Sequence, residues 1–533
     1  MPAPYVLIGD EARLRLKEGL DLLAELIRLT LGPHAGAVAC TRIGKDPELL
    51  TSSAVIARRI VEIQGRGANV GAMLLRHALW KVHERLGDGA ATTAALVHSL
   101  LDDGHRQLAA GANPISLRRG MERSLQVVLP ALAAQARPVD GGQHLAALAC
   151  AATGDQELGH VLGEIFGRLG PEGTVMIEEY AGAYLHHEFL EGARWEGSFV
   201  SPAFITDVPR QQTRLEEPWV MVTDHTITQA EQVTGLLEQV ALAQAGPLLI
   251  IAEDVTGTAR ATLLSNRERG IVDVVAATLN IQGYQRLHSL EDIAIITGAE
   301  FVSKDRGDRL EEIRLHDLGE ARIVQVGADM LAIVGGAGDP EMIDARQRVL
   351  RAQIQHAEDE EARRKLVERL GKLCGGMAVL KLGAATDAER MTRRELAERV
   401  IHFMPAALEE GLVPGGGSAY LHCQAVLDQL ACGHDDEATG ARLVQRALEA
   451  PMTWLIRNLG MSPAPILAEV RRSGVGYGYD VVDRQVAHMW NAGILDSAKV
   501  VRVALETAVS LAATALTTEA IVLPRKPNVS LTP

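Results

Sequence analysis

Two blocks of helical text, one at each end of the chain, are held apart by a middle that reads as alternating strand and helix. From Gly9 to about Arg137, apolar residues recur at three- and four-residue steps, as in GLDLLAELIRLTLG (Gly19 to Gly32) and AATTAALVHSLLDDGHRQLAAG (Ala90 to Gly111). That spacing lines one face of a helix. NPISLRRGMERSLQVVLPAL begins another helix, with Asn113 as N-cap before Pro114. The pattern returns from about Glu410 in TGARLVQRALEAPMTWLIRNLG and SAKVVRVALETAVSLAATALTTEA, the second so apolar that it must be buried on most sides.

Between them, PLLIIAEDV (Pro247 to Val255), VDVVAATL (Val272 to Leu279) and DIAIITGAEFVS (Asp292 to Ser303) are short runs rich in β-branched residues. They read as strands, and they alternate with helical segments such as ITQAEQVTGLLEQVALA. The alternation predicts an α/β domain between about Glu191 and Gly376. EDEEARRKLVERLGKL (Glu358 to Leu373) is a charged helix with a narrow apolar stripe. At 533 residues, three or so domains are expected, at roughly 100–200 residues each. Each helical block is short for a large core of its own, so the two are expected to fold together with the α/β domain inserted between them.

Composition narrows the function classes. The formal charge of −15 argues against nucleic acid, whose phosphates call for clustered Lys and Arg. No stretch approaches the roughly 18 uninterrupted apolar residues of a membrane span. The N-terminus lacks the basic-then-apolar layout of a signal peptide, so a cytoplasmic protein is expected. Cys40, Cys150, Cys374, Cys423 and Cys432 are scattered without CxxC spacing and read as reduced core thiols.

Several strings, in order, carry a resemblance. TLGP (Thr30 to Pro33), GDG (Gly87 to Gly89) opening a long helix, PLLIIAEDV, RGIVDVV, KLCGGMAVLKLGAAT, ALEEGLVPGGGSA and AGILDSAKVVR together resemble GroEL-type (group I) chaperonins, from about Val6 to Lys526. The resemblance implies a multidomain α+β fold. Its helical equatorial domain would span 1–135 and 410–533, an intermediate hinge 136–190 and 377–409, and an apical client-binding domain 191–376. It also implies rings around a chamber for unfolded protein, with ATP and Mg²⁺ as cofactors.

The same resemblance supplies a nucleotide-binding set: Thr30, Leu31, Gly32, Pro33, Thr51, Asp88, Gly89, Ala90, Ala91, Thr92, Gly416, Asp480 and Asp496, with Asp88 also as metal ligand. The chemistry suits these types, since phosphate needs close backbone amides and Mg²⁺ needs oxygen ligands. Taken alone, Asp88-Gly89 reads as a turn and Gly415 to Gly417 as a helix stop. Asp496 matches the family position that contacts the sugar.

The family's hydrolytic residues are replaced. Its three threonines after GDG are here Ala90, Ala91 and Thr92, and its Thr-Lys-Asp-Gly aligns without a gap on Leu50, Thr51, Ser52 and Ser53. A nearby Lys45-Asp46 pair is set aside, because Pro47 and AVIARRI (Ala54 to Ile60) align only in the ungapped register. The aspartate that orients the attacking water, three residues before a histidine, is Arg399 before His402. A guanidinium cannot take a proton from water, and Glu398 points about 100° away on a helix. No catalytic residue is intact, and Ser52 and Arg399 mark the degenerate positions.

In the apical region the resemblance implies client contacts at Phe199, Phe204, Thr234, Leu237, Arg260, Leu263, Leu264 and Ser265. Thr234, Arg260 and Ser265 stand where the family has aliphatic residues, and Ala203 where it has an aromatic one. A charge inside an apolar face narrows the choice of client. Thr453 and Ser462 replace the Arg and Glu of contacts between rings, and the chain ends in PRKPNVSLTP without Gly-Gly-Met repeats. Two functions are therefore expected. One is a chaperonin of narrow client range that binds nucleotide with weak or absent hydrolysis, with or without a lid co-chaperonin. The other is a scaffold: a non-hydrolysing holder, a mixed-ring partner of standard chaperonin subunits, or an assembly factor for one operon-linked enzyme such as a monooxygenase.

Overall fold

The computed structural model describes residues 5–33, 36–42, 45–139, 141–171, 173–179, 182, 184–208, 210–244, 246–357, 359–374, 376–384, 386–430 and 433–523. The chain divides into two compact units, Met1–Pro171 with Ala385–Pro533, and Glu172–Ala384. Both ends of the sequence thus build one body and the middle builds the other. Helices Gly142–Thr153, Gln156–Leu169 and Asp387–Glu410 belong to the first unit, and strands Thr174–Glu179 and Gly376–Leu382 to the second.

In the first unit, helices Arg66–Leu86, Ala90–Ala109 and Pro114–Ala133, with Asp10–Arg28, pack around Ala498–Thr517, and Asp435–Ala447 packs on Pro114–Ala133 and Ala90–Ala109. That last helix is long and apolar enough to cross a membrane, but Val503, Leu505, Ala508, Val509, Ala512 and Leu516 are buried in the shared core. Asn113 caps its helix as expected, its Oδ1 accepting from the amides of Ile115 (2.9 Å) and Ser116 (3.1 Å). Backbones touch where glycines allow it. A Cβ on Gly71 would stand 1.9 Å from the Leu16 carbonyl oxygen, and one on Gly19 would stand 1.7 Å from that of Ala68.

In the second unit, parallel strands Trp219–Thr223, Leu248–Ile251 and Val274–Leu279 alternate with helices Glu231–Ala243 and Gly257–Glu268. Leu248 to Ile251 are wholly buried, as a strand covered on both faces must be. Antiparallel strands Gly319–Val326, Leu331–Gly336, His186–Trp195 and Gly376–Leu382 extend the sheet. One expected strand is a correction. Asp292 to Thr297 end the helix Tyr284–Thr297, and only Phe301–Val302 pairs as strand. The β-branched run suits a helix here because Ile293, Ala294 and Ile296 sit in the core. Asp292, itself buried, is held by Arg346 (2.8 Å) and Arg369 (2.8 Å).

The cysteine reading also changes. Cys423 is buried, but Cys40 and Cys150 are partly exposed, and all three are free. Cys150 lies 3.7 Å from His160 Nδ1. Cys432, the side chains of Cys374, Lys45, Asp46 and Pro47, and the 524–533 tail lie outside the described residues.

Candidate functional site: a cavity at a helix N-terminus

The first unit encloses a cavity of about 390 Å³. Its walls come from segments far apart in sequence, each aimed by a local feature. The first is the turn after the Asp10–Arg28 helix. Asn458 Nδ2 donates to the carbonyls of Arg28 (2.9 Å) and Leu31 (3.0 Å), which pins Thr30 to Pro33 against the cavity. Gly32 has φ 96°, and a Cβ there would meet Leu455 at 2.5 Å. The Thr30 hydroxyl is spent on the Ile27 carbonyl at 2.7 Å.

The second wall is Gly87-Asp88-Gly89, where the Ala90–Ala109 helix begins. Gly89 offers no side-chain cap, and the first intrahelical bond is Thr93 N–H to Gly89 O at 2.9 Å. The amides of Ala90, Ala91 and Thr92 therefore face the cavity without helical acceptors, the arrangement that attracts anions. The Asp88 side chain is exposed to the cavity and makes no ion pair among the described residues.

The third wall arises from pairing. Strand Leu412–Pro414 runs antiparallel to Leu495–Ser497, which sets Val413 opposite Asp496 and brings the glycine run beside that aspartate. Gly415 N–H bonds Ile494 O at 2.9 Å, and Gly416 and Gly417 take φ 64° and 77°. Burial pushes the Asp496 carboxyl up to about 7. The charge on Asp88 adds to that rise, and the Gly416 amide offsets part of it. The Asp88 and Asp496 carboxylates thus repel, and a bound cation would relieve them.

The remaining predicted residues also gather here, in different conditions. Asp480 is buried, and its Oδ1 accepts from the amides of Val482 (2.8 Å) and Asp483 (3.1 Å), so much of its capacity closes a turn. Thr51, Ser52 and Ser53 line the cavity, as the ungapped register requires. Ser52 sits at the start of the Ser53–Arg59 helix without a side-chain cap bond. Arg399 and Phe403 reach the cavity from the Asp387–Glu410 helix, and Arg399 has no carboxylate partner among the described residues. Glu398 turns away and pairs with Arg394 at 2.8 Å.

His83 is among the cavity residues that sequence reasoning missed. It lies one helical turn before Gly87, and its Nδ1 is 3.1 Å from the Gly87 carbonyl. Its only signal in the sequence is that i, i+4 spacing ahead of the GDG string. Burial holds its imidazole below the usual value, and the neighbouring His402 and Arg399 push the same way.

Of the residues expected to contact a client, three are corrected. Phe204, Leu237 and Leu263 are buried in the core of the second unit, where they fill space between helices and sheet. Arg260 is exposed, and Phe199, Thr234, Leu264 and Ser265 are partly exposed. In the first unit, Thr453 is partly buried and Ser462 exposed.

A model of the TCP-1/cpn60 chaperonin family matches residues 23–526. Among solved structures, two of the chaperonin gp146 from the bacteriophage EL 2 (Pseudomonas aeruginosa), both in the presence of ATP-BeFx, align over 98% of this chain and 99% of theirs. Crystal form II is 18% identical with a TM-score of 0.72, and form I is 19% identical with a TM-score of 0.68.

Proposed function

The chain belongs to the TCP-1/cpn60 chaperonin family, and from that premise we propose a chaperonin that holds a nucleoside triphosphate in this cavity and hydrolyses it slowly. One observation carries the reading: an uncapped helix N-terminus and an unpaired Asp88 share a cavity with Arg399, where a carboxylate would be needed to orient water. The free amides of Ala90 to Thr92 receive phosphate oxygens. Arg399 clamps the outermost phosphate by charge-assisted hydrogen bonds. Asp88 and Asp496, whose charges repel, would hold Mg²⁺, which would neutralise charge on the triphosphate. The gp146 crystals with an ATP analogue, on the same fold, support nucleotide in such a site.

Loss of a positioned base removes roughly 10²–10⁴-fold in rate. The group I resemblance extends the proposal to cytoplasmic rings that capture unfolded protein, or one specific client. The exposed Arg260 on the Gly257–Glu268 helix favours a narrow client range. The unpaired Arg399 also favours a second reading, a non-hydrolysing scaffold that captures a partner or joins rings of standard chaperonin subunits.

Binding of a fluorescent ATP analogue and phosphate release, measured with Mg²⁺ against Asp88→Ala, test the proposal. Binding that is lost in Asp88→Ala, with wild-type phosphate release only slightly above that background, is expected. Absence of binding would overturn the nucleotide reading, and fast turnover would overturn the role given to Arg399.

A further inference from the structure

Resting on the nucleotide reading above, we infer that Trp80 is a positioning residue of this site, an indole outside the cavity to which three parts of the cavity wall are tied. Trp80 stands half-buried on the Arg66–Leu86 helix and does not itself line the cavity. The segment Thr51 to Ala54 does, where the Ser53–Arg59 helix begins. Near the other end of that helix, the Arg58 guanidinium carbon lies 4.2 Å from the Trp80 ring centroid. A cation–π contact extends to about 6 Å, so the two side chains hold each other. Arg76, one turn before Trp80, adds a bond from its Nη2 to the Arg58 carbonyl at 3.3 Å. The helix that starts at Ser52 and Ser53 has only seven residues, so fixing its far end also sets the direction of its start.

The same indole reaches the Gly87-Asp88-Gly89 turn. Its ring packs on that of His83 with centroids 5.4 Å apart, within the range of paired rings. A carbonyl oxygen only accepts, so His83 donates Nδ1–H to Gly87 O at 3.1 Å. The indole thus steadies the ring that buttresses the turn. It is also linked to the Asp387–Glu410 helix, which carries Arg399. Trp80 Nε1–H donates to the Glu84 carboxylate one turn on, and the Glu84 carbonyl accepts from His402 Nε2 at 3.1 Å. The approach is close, since a Cβ on Gly87 would stand 2.9 Å from His402 Cβ. Arg399 lies one turn before His402 and lines the cavity.

Arg58, His83 and Glu84 therefore meet on one side chain, and each leads to a different part of the wall: the two serines, the turn at Asp88, and the helix of Arg399. Removing the indole takes away their common support and leaves every cavity-lining side chain in place. The effect is selective. In the nucleotide reading Arg399 meets the outermost phosphate, whereas Asp496 is set by the pairing of Leu495–Ser497 with Leu412–Pro414. Loosening the wall around Trp80 thus weakens the hold on a triphosphate more than on a diphosphate.

The test compares the full-length protein with Trp80→Leu and with Trp80→Phe, whose ring can still stack on Arg58 and His83. Binding of fluorescent ATP and ADP analogues is measured with Mg²⁺. Loss of one charge-assisted contact to the outermost phosphate corresponds to roughly 10-fold weaker ATP binding in Trp80→Leu, with ADP binding changed less than about 2-fold. Trp80→Phe is expected to recover most of the ATP affinity. Equal losses for ATP and ADP, the mark of a merely structural role, would overturn the inference. So would unchanged ATP binding in Trp80→Leu, or a Trp80→Phe no better than Trp80→Leu. Absence of binding in the wild type would instead bring down the nucleotide reading itself. If Trp80→Leu fails to fold, Arg58→Gln removes the stacked guanidinium from an exposed position, and unaltered ATP binding there refutes the inference.

Discussion

Replacing Arg399 by aspartate separates its two effects on the bound nucleotide. The side chain lines the cavity and has no carboxylate partner, so removing it leaves no orphaned charge in the fold. A charge-assisted hydrogen bond to phosphate contributes about 1.5–3 kcal/mol. Arg399→Ala should therefore weaken ATP binding by roughly 10- to 100-fold without raising kcat. Arg399→Asp loses the same contact but adds a carboxylate that Glu398, tied to Arg394, cannot supply. A positioned base contributes about 10²–10⁴-fold, or about 3–5 kcal/mol of barrier. With Ser52 still lacking a carboxylate, the lower end is expected, so kcat should rise about 100-fold while KM rises by a similar factor. Steady-state phosphate release over a range of ATP concentrations reads both constants. If kcat at saturating ATP is the same in wild type, Arg399→Ala and Arg399→Asp, the reasoning about position 399 is refuted.

Other outcomes can be checked with simpler assays. Asp496 titrates near 7 in the folded protein against about 3.9 unfolded, so its protonated form stabilises the fold fully below about pH 4 and that contribution is lost as pH rises through 7. Cavity water screens the charge, so the loss is at most about 4 kcal/mol. Asp496→Asn should raise Tm at pH 8 without nucleotide and leave it unchanged at pH 4; equal shifts at both pH values would contradict the assignment. A methyl at Gly71 meets the Leu16 carbonyl at 1.9 Å, so Gly71→Ala should cost about 2–3 kcal/mol in denaturant unfolding, and an unaltered midpoint would contradict the packing argument. Arg260→Leu should suppress aggregation of a denatured test protein more strongly than wild type; no change would separate Arg260 from client choice.

The helical ends and the strand-helix alternation of the middle were legible in the text because they depend on local periodicity, whereas the cavity residues were legible only through the family resemblance, since each of their strings taken alone reads as a turn or a helix stop. Asn113 could be placed as a cap from its neighbours alone, since a cap bond spans only two or three residues. Tertiary structure decided what local pattern leaves open. Ile293, Ala294 and Ile296 have the composition of a strand, yet the surrounding core and the Asp292 ion pairs favour a helix. Phe204, Leu237 and Leu263 are apolar in any reading, and only packing places them inside rather than on a surface. The same holds for the cavity's chemistry. The strand pair that sets Asp496 beside Gly416 joins residues about eighty apart, and its charge state depends on Asp88, about four hundred residues earlier. His83 acquires its tautomer from one backbone carbonyl and its environment from a helix more than three hundred residues away. Sequence therefore determined which chemical groups this protein has to work with. Only the fold brought them to one cavity, because burial and electrostatics depend on distance in space rather than along the chain.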